Sequence, residues 1–175
     1  MRAVVMSALM LCMSVAPALA QQGQDRGAAR AATPTGQPEP PAPPPGSAGI
    51  FKSNTDLQAA LKAAIAKTDD MAASLIANTD QYRVNIVHRP KANGAIAHPG
   101  NTELHYIIAG TGTVTTGGKI IRKPGAPASE ATIDGGESHD VKPGDVIIVP
   151  AGSAHMYSKV NGEITYLEVR FVAPK

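Results

Sequence analysis

Two short stretches of the chain carry side chains of the kind that bind divalent metal ions. The first contains His98, Glu103 and His105. The second begins at Gly144 and ends at His155. Imidazole nitrogens and carboxylate oxygens are ligands of zinc, iron, copper, nickel and manganese. The two stretches therefore predict one metal site, provided that the fold brings them together.

The local pattern around the first stretch predicts how its side chains are arranged. Side chains two residues apart on a strand point the same way, so Glu103 and His105 share one face. A turn over residues 99–102 would bring His98 beside Glu103 from an adjacent strand. A buried carboxylate needs a partner, and a divalent ion satisfies it. The alternative partner is an arginine such as Arg83 or Arg89, which would leave a metal-free barrel.

Short strands account for most of the chain after residue 81, because the apolar residues there alternate and are often β-branched. Glycine-rich turns are predicted at residues 110–112, 117–118 and 135–136, and a hairpin at residues 161–162. This pattern indicates an all-β sandwich or small barrel. Strands are predicted at residues 82–89, 95–98, 103–109, 113–116, 119–122, 132–133, 145–149, 155–160 and 164–172.

The spacing within the two stretches resembles the two motifs of the cupin superfamily, over residues 80 to 172. The first motif is G-x5-H-x-H-x3-4-E-x6-G, and the second is G-x5-P-x-G-x2-H-x3-N. The resemblance implies a cupin-type double-stranded β-helix, which is a jelly-roll barrel, with one or two short N-terminal helices. The residues that fit the motifs are His98, Glu103, Gly110, Gly144, Pro150, Gly152 and His155.

The chain departs from the cupin pattern at three positions. Ile96 stands where the first histidine is usual, Pro90 stands in place of the leading glycine, and Lys159 stands in place of the closing asparagine. His105 is either the replacement for the missing nitrogen or part of the pocket lining. Ile96 itself favours a drier, narrower site. The predicted metal ligands are His98, Glu103, His105 and His155.

Four other polar residues are weaker candidates for a catalytic or metal-binding role. Tyr157 shares the face of His155 and is the candidate catalytic acid or base, the alternative being that it fills the barrel. Tyr106 is one step out of phase with Glu103 and is expected to face the other way. His88 and His139 lie outside both motifs and are interpreted as structural or exposed.

Several functions are compatible with a cupin barrel. The resemblance implies dioxygenases, isomerases, lyases, hydrolases and non-catalytic binders, so the fold does not select among them. The first hypothesis is an exported metalloenzyme that acts on a small polar molecule, either a sugar or an organic acid. The alternatives are a non-catalytic periplasmic module that binds a ligand or a metal, and a metal-free barrel that serves in assembly. Zinc is the expected ion, ahead of copper, iron, manganese and nickel.

The N-terminal region predicts export. Residues 1–20 contain Arg2, an apolar run and a small-residue site that ends at Ala20, which is the layout of a signal peptide. The run is too short to span a bilayer. The protein is therefore expected to be periplasmic or secreted. The only cysteine, Cys12, lies in this segment, so thiolate chemistry is excluded for the mature chain.

The rest of the chain divides into three predicted regions. Residues 21–49 are rich in proline, glycine and glutamine and predict a disordered linker. Residues 50–79 predict an N-terminal helical segment with Ser53 or Asn54 as its cap. Within it, residues 71–77 fit either a second short helix or an edge strand. Residues 80–175 predict the barrel.

Composition limits the partners. Without Arg2, 15 basic residues face 14 acidic ones, and the chain has no tryptophan and two phenylalanines. Phosphate-tracking stripes and base-stacking platforms are therefore missing from the sequence, which argues against nucleic acid as a partner. We expect a small-molecule ligand and no membrane contact after the signal peptide is cleaved. The cupin resemblance also implies a homodimer formed through sheet edges.

Overall fold

The computed structural model of the protein describes residue 46 and residues 48–172. The predicted signal peptide and most of the predicted linker lie outside the described residues, so both remain predictions, as does export. The elements in chain order are α1 (Asn54–Ile65), β1 (Ala72–Asn78), β2 (Tyr82–Arg89), β3 (Asn101–Thr116), β4 (Lys119–Ile121), a 3-10 turn (Ala128–Glu130), β5 (Thr132–Asp134), β6 (Glu137–Val141), β7 (Val146–Val149) and β8 (His155–Val172).

The N-terminal segment contains one helix and one strand. Ser53 caps α1, since its side chain accepts a hydrogen bond of 3.1 Å from the backbone N–H of Asp56. Of the two alternatives for residues 71–77, the structure has the strand, β1, which pairs with β2. Because β1 lies beside the β-branched β2, pairing decides the conformation of a sequence whose own preference is weak. No helix in this described part of the chain is long and apolar enough to cross a membrane.

The main sheet has the strand order β1-β2-β8-β3-β6, and β7 also pairs with β3. Strands β3 and β8 run antiparallel along their whole length, from the pair Asn101–Val172 to the pair Thr116–His155. The first half of β3 pairs with β7, and the second half pairs with β6. Two long strands with different neighbours at each end make a jelly roll, so the predicted all-β cupin-type fold is confirmed.

Two predicted turns are wrong, because β3 and β8 each continue through them. Residues 110–112 lie inside β3, and the predicted hairpin at residues 161–162 lies inside β8. The two positions face each other, since Gly110 pairs with Ile164 and Gly112 pairs with Val160. The register shifts there, which is the mark of a bulge, and bulges bend strands. The glycines therefore bend the two long strands rather than ending them.

Inward side chains of β2, β8 and β3 form successive rows across the barrel. One row is apolar and aromatic, with Tyr166 between Val87 and Ile107. The next two rows are polar. The polar rows consist of Asn85, Glu168 and His105, followed by Arg83, Arg170 and Glu103. The buried apolar cluster thus fills one part of the barrel, and the polar rows occupy the adjoining part.

Candidate metal centre

Glu103 is the centre of a buried polar cluster. Its side chain is 1% exposed, and three imidazole Nε2 atoms surround its carboxylate. The distances are 3.3 Å to His98, 3.2 Å to His105 and 3.3 Å to His155. One nitrogen or oxygen atom each from His98, Glu103 and His155 lies within 4.8 Å of the other two. The structure therefore brings all four sequence-predicted ligands together, and their role as ligands remains a prediction.

Backbone hydrogen bonds hold the two sequence motifs against each other. The carbonyl of His98 accepts from the N–H of Asn101 at 3.3 Å and from that of Gly152 at 3.1 Å. Ile96 and His155 exchange backbone hydrogen bonds of 3.0 and 2.8 Å. Ile96, which replaces the usual first histidine, thus positions His155 through its main chain. Residues 95–98 contribute this isolated bridge instead of the predicted strand.

The ion partner of Glu103 in the structure is Arg170, which sequence reasoning missed. Arg170 Nε lies 3.0 Å from Oε1 of Glu103. Its Nη2 donates to Glu168 at 3.1 Å, and Glu168 also accepts from Asn85 at 2.9 Å. Arg89, one of the two arginines considered from the sequence, donates instead to the Tyr166 hydroxyl at 2.7 Å. Glu168 thereby adds a second buried carboxylate beside Glu103.

Several buried atoms of the cluster are left without hydrogen bonds among the described residues, namely His98 Nε2 and Glu103 Oε1 and also Arg170 Nε. His98 Nε2 and Glu103 Oε1 lie 3.3 Å apart, but neither is aligned for a hydrogen bond with any described residue. Such orphans are rare in folded proteins and require an explanation. Both atoms are ligand types for a divalent ion. The residues therefore fit an ion held by His98, Glu103 and His155.

The protonation states also suit an ion. Burial alone would raise the pKa of Glu103, but its contacts with His105 and His155 and the charge of Arg170 lower it below the ordinary value. Burial lowers the pKa of His98. Glu103 is therefore ionised and His98 neutral near neutral pH, which are the forms that bind metal.

The two remaining histidines differ in which ring nitrogen carries the proton. His155 Nδ1 lies 3.2 Å from the carbonyl oxygen of Ser153, which can only accept. Neutral His155 therefore has its proton on Nδ1, and the lone pair of Nε2 faces Glu103. His155 Nε2 and the Glu103 carboxylate lie 3.3 Å apart, and either a proton or a divalent ion between them satisfies both.

His105 is arranged as a donor to Glu103. The Tyr157 hydroxyl lies 3.3 Å from His105 Nδ1. Because burial raises the pKa of Tyr157, the hydroxyl stays protonated and donates a hydrogen bond to Nδ1. Neutral His105 then has its own proton on Nε2 and donates to Glu103 at 3.2 Å. In this arrangement His98, Glu103 and His155 would hold the ion, and His105 would donate a hydrogen bond to Glu103. The geometry favours a role for His105 in positioning Glu103. It does not favour His105 as a metal ligand in place of the motif histidine that is missing at Ile96.

The candidate acid or base, Tyr157, lies behind His105 and is 2% exposed. Its ring stacks on His105 and on Tyr166, with centroid separations of 5.9 and 5.0 Å. The hydroxyl contacts His105 rather than the metal position, so this geometry lets Tyr157 act through His105. Its direct acid or base role stays a prediction.

Replacing Tyr157 by phenylalanine is expected to weaken zinc binding about 10-fold, because groups that orient the metal's surroundings typically contribute 10- to 100-fold to affinity. The change removes the donor to His105 Nδ1 and frees its ring to reorient. Zinc affinity is measured by competition with a chromophoric chelator. Tyr106→Phe is the control, since Tyr106 is 44% exposed on the opposite face. Equal affinities in the two variants would contradict the positioning role.

The other residues considered from the sequence lie where they were expected. Tyr106 faces outward, as the two-residue period predicted. His139 is exposed beside Glu137, with 3.2 Å between Nε2 and Oε1. His88 is buried, and its Nδ1 lies 3.4 Å from the Thr165 hydroxyl. In the described part of the chain, neither histidine belongs to a group that could hold an ion.

Comparisons with known proteins agree with the barrel. Residues 96–174 match the family model described as the AraC-like ligand-binding domain. No curated protein matches the chain. Three solved structures illustrate the similarity in fold.

A predicted oxalate decarboxylase from Thermotoga maritima is 18% identical, with a TM-score of 0.45 over 59% of this chain and 81% of that one. A putative mannose-6-phosphate isomerase from Ralstonia eutropha is 13% identical, with a TM-score of 0.46 over 61% and 88%. The Cnp3 cupin domain from Schizosaccharomyces pombe is 12% identical, with a TM-score of 0.46 over 59% and 61%. At these levels of similarity, the matches do not identify site residues in this chain.

Proposed function

We propose that this cupin-type barrel is an exported metalloenzyme that binds a divalent ion and acts on a small polar molecule. The observation that supports the proposal is the set formed by His98, Glu103 and His155, one ligand atom of each lying within 4.8 Å of the other two. Zinc is the first choice, ahead of copper, iron, manganese and nickel. The ion would act as a Lewis acid toward a bound substrate oxygen or water.

The chain's own residues would hold the reaction site in place. Glu103 would hold the ion through its carboxylate, which accepts a hydrogen bond from His105. Tyr157 fixes the ring of His105 from behind. The apolar row around Tyr166, which is fully buried, keeps water out of the barrel on that side. Among the four predicted ligands, His98 has the most exposed side chain, at 19%.

A second candidate function is binding without turnover. The match of residues 96–174 to the AraC-like ligand-binding domain favours it, because that family is described by ligand binding rather than by a reaction. Such a module would use the same pocket and the same ion, but would release its ligand unchanged.

One experiment tests the metal and separates the two candidates. Protein purified from its native compartment is subjected to elemental analysis, and we expect about one divalent ion per chain. The loaded protein is then mixed with a panel of sugars and organic acids, and each mixture is followed by NMR. New product signals support the enzyme, and saturable line broadening without product supports the binding module. Protein that neither carries nor takes up a divalent ion would overturn both.

Export is tested on the same material. N-terminal sequencing is expected to begin at Gln21, because the small-residue site ends at Ala20. A chain that begins at Met1 would contradict export and leave the metal proposal untouched.

A further inference from the structure

Arg170 lies where the metal centre opens to solvent. The side chains of Glu103, His105 and His155 are 1%, 3% and 6% exposed, and that of Glu168 is 6% exposed. The two exceptions are His98 at 19% and Arg170 at 27%. A molecule that approaches an ion beside His98 therefore meets the Arg170 guanidinium group.

The guanidinium of Arg170 is held in place by Glu168 and can still donate hydrogen bonds to a ligand. Its Nη2 donates to Glu168, which Asn85 fixes from the next strand. Its Nε points at Glu103 without forming an aligned hydrogen bond, and the side chain is 27% exposed, so part of the guanidinium faces solvent. A rigidly held arginine with an unused donor is suited to binding a planar anionic group, since its fork matches a carboxylate.

The charge of the site also calls for an anion once the ion is bound. Glu103 and Glu168 outnumber Arg170 by one negative charge when the histidines are neutral. A divalent ion reverses this to one excess positive charge in a mostly buried site, where uncompensated charge is costly. An anionic ligand offsets that excess, and a neutral sugar does not.

We infer that the small molecule bound at this site is a carboxylate, and that Arg170 is the residue that selects it over a neutral molecule of the same shape. The inference rests on the proposed function, because the excess positive charge comes from the divalent ion. It narrows the substrate class from a sugar or an organic acid to an organic acid.

The test compares carboxylates with their own amides on the zinc-loaded protein. Isothermal titrations use formate, glycolate, lactate and benzoate against formamide, glycolamide, lactamide and benzamide, together with arabinose and inorganic phosphate. At least one carboxylate is expected to bind 10-fold or more tightly than its amide. R170Q is expected to lose that preference, and R170K to retain only part of it, because lysine keeps the charge without the fork. The control is R122Q, since Arg122 is exposed.

Zinc content is measured for every variant, so that the two proposals can fail separately. A wild-type protein that takes up no ion would overturn the proposed function. If zinc is bound, equal affinity for carboxylates and amides would overturn only the carboxylate inference, as would tighter binding of phosphate or an undiminished preference in R170Q. Because Arg170 also contacts Glu103, R170K replaces R170Q as the deciding variant if R170Q loses zinc. A full wild-type preference in R170K would then overturn the inference.

Discussion

Replacing His155 by alanine is expected to lower the affinity for the divalent ion by about 100-fold or more, since even groups outside the ligand shell contribute 10- to 100-fold. The Nδ1 proton of His155 is directed at the Ser153 carbonyl, which leaves the Nε2 lone pair turned to Glu103. Alanine removes that lone pair and leaves His98 and Glu103 as the remaining members of the set. Elemental analysis after exhaustive dialysis and a chelator competition titration both measure the loss.

His139→Ala is the matched control for His155→Ala. The His139 side chain is 60% exposed and is paired with Glu137 on its own strand, so its loss should leave the metal content at the wild-type value. Because His155 is buried, thermal unfolding of the metal-free forms checks that both variants fold. Equal metal content in the two folded variants would refute the proposed centre.

The arrangement of the centre could be predicted from the sequence where it depends on local geometry. Alternation along one strand placed Glu103 and His105 on one face and Tyr106 on the other, and the structure has them 1%, 2% and 44% exposed. The resemblance of residues 144–155 to the second cupin motif implied that His155 lies near them. These inferences needed the period of a strand and that resemblance.

Arg170 and Glu168 could not be assigned to the centre in this way. They follow Tyr166 at alternate positions of β8, so the sequence showed that the three share a face. It did not show which face is the inner one, because Leu167 and Val169 between them are equally suited to burial. That choice is made by pairing with β3, where Glu103 lies opposite Arg170 and His105 lies opposite Glu168.

The two wrong turns have a related cause. Glycine-rich dipeptides predict turns because glycine accepts positive φ, and Gly110 and Gly162 do have φ values of 79° and 81°. The same backbone conformation also occurs in bulges within continuous strands. The two bulges lie on different strands and face each other. Whether each glycine forms a bend within a strand or a turn between strands is therefore decided by the pairing of β3 with β8.

Replacing Gly110 by alanine is expected to lower the free energy of unfolding by more than about 3 kcal/mol, which exceeds the 1–3 kcal/mol usual for strained backbone alone. A Cβ at this position would lie 2.0 Å from the Glu163 carbonyl oxygen and 2.8 Å from Ile164 Cα. Both are backbone atoms of the paired strand, so neither can move without disturbing the bend of β8. Urea denaturation of the metal-free protein measures the change.

Two other glycines separate the contributions of backbone conformation and contact. Gly100 has φ of +83°, and a Cβ added there would have no atom within 4 Å, so Gly100→Ala measures the conformational cost alone, about 1–2 kcal/mol. Gly112 lacks the positive φ but would place its Cβ 2.4 Å from the Lys159 carbonyl oxygen, so Gly112→Ala measures the contact alone. We expect Gly110→Ala to cost more than either. If it costs no more than Gly100→Ala, β8 yields to the added methyl group, and the close approach of the two bends does not constrain the barrel.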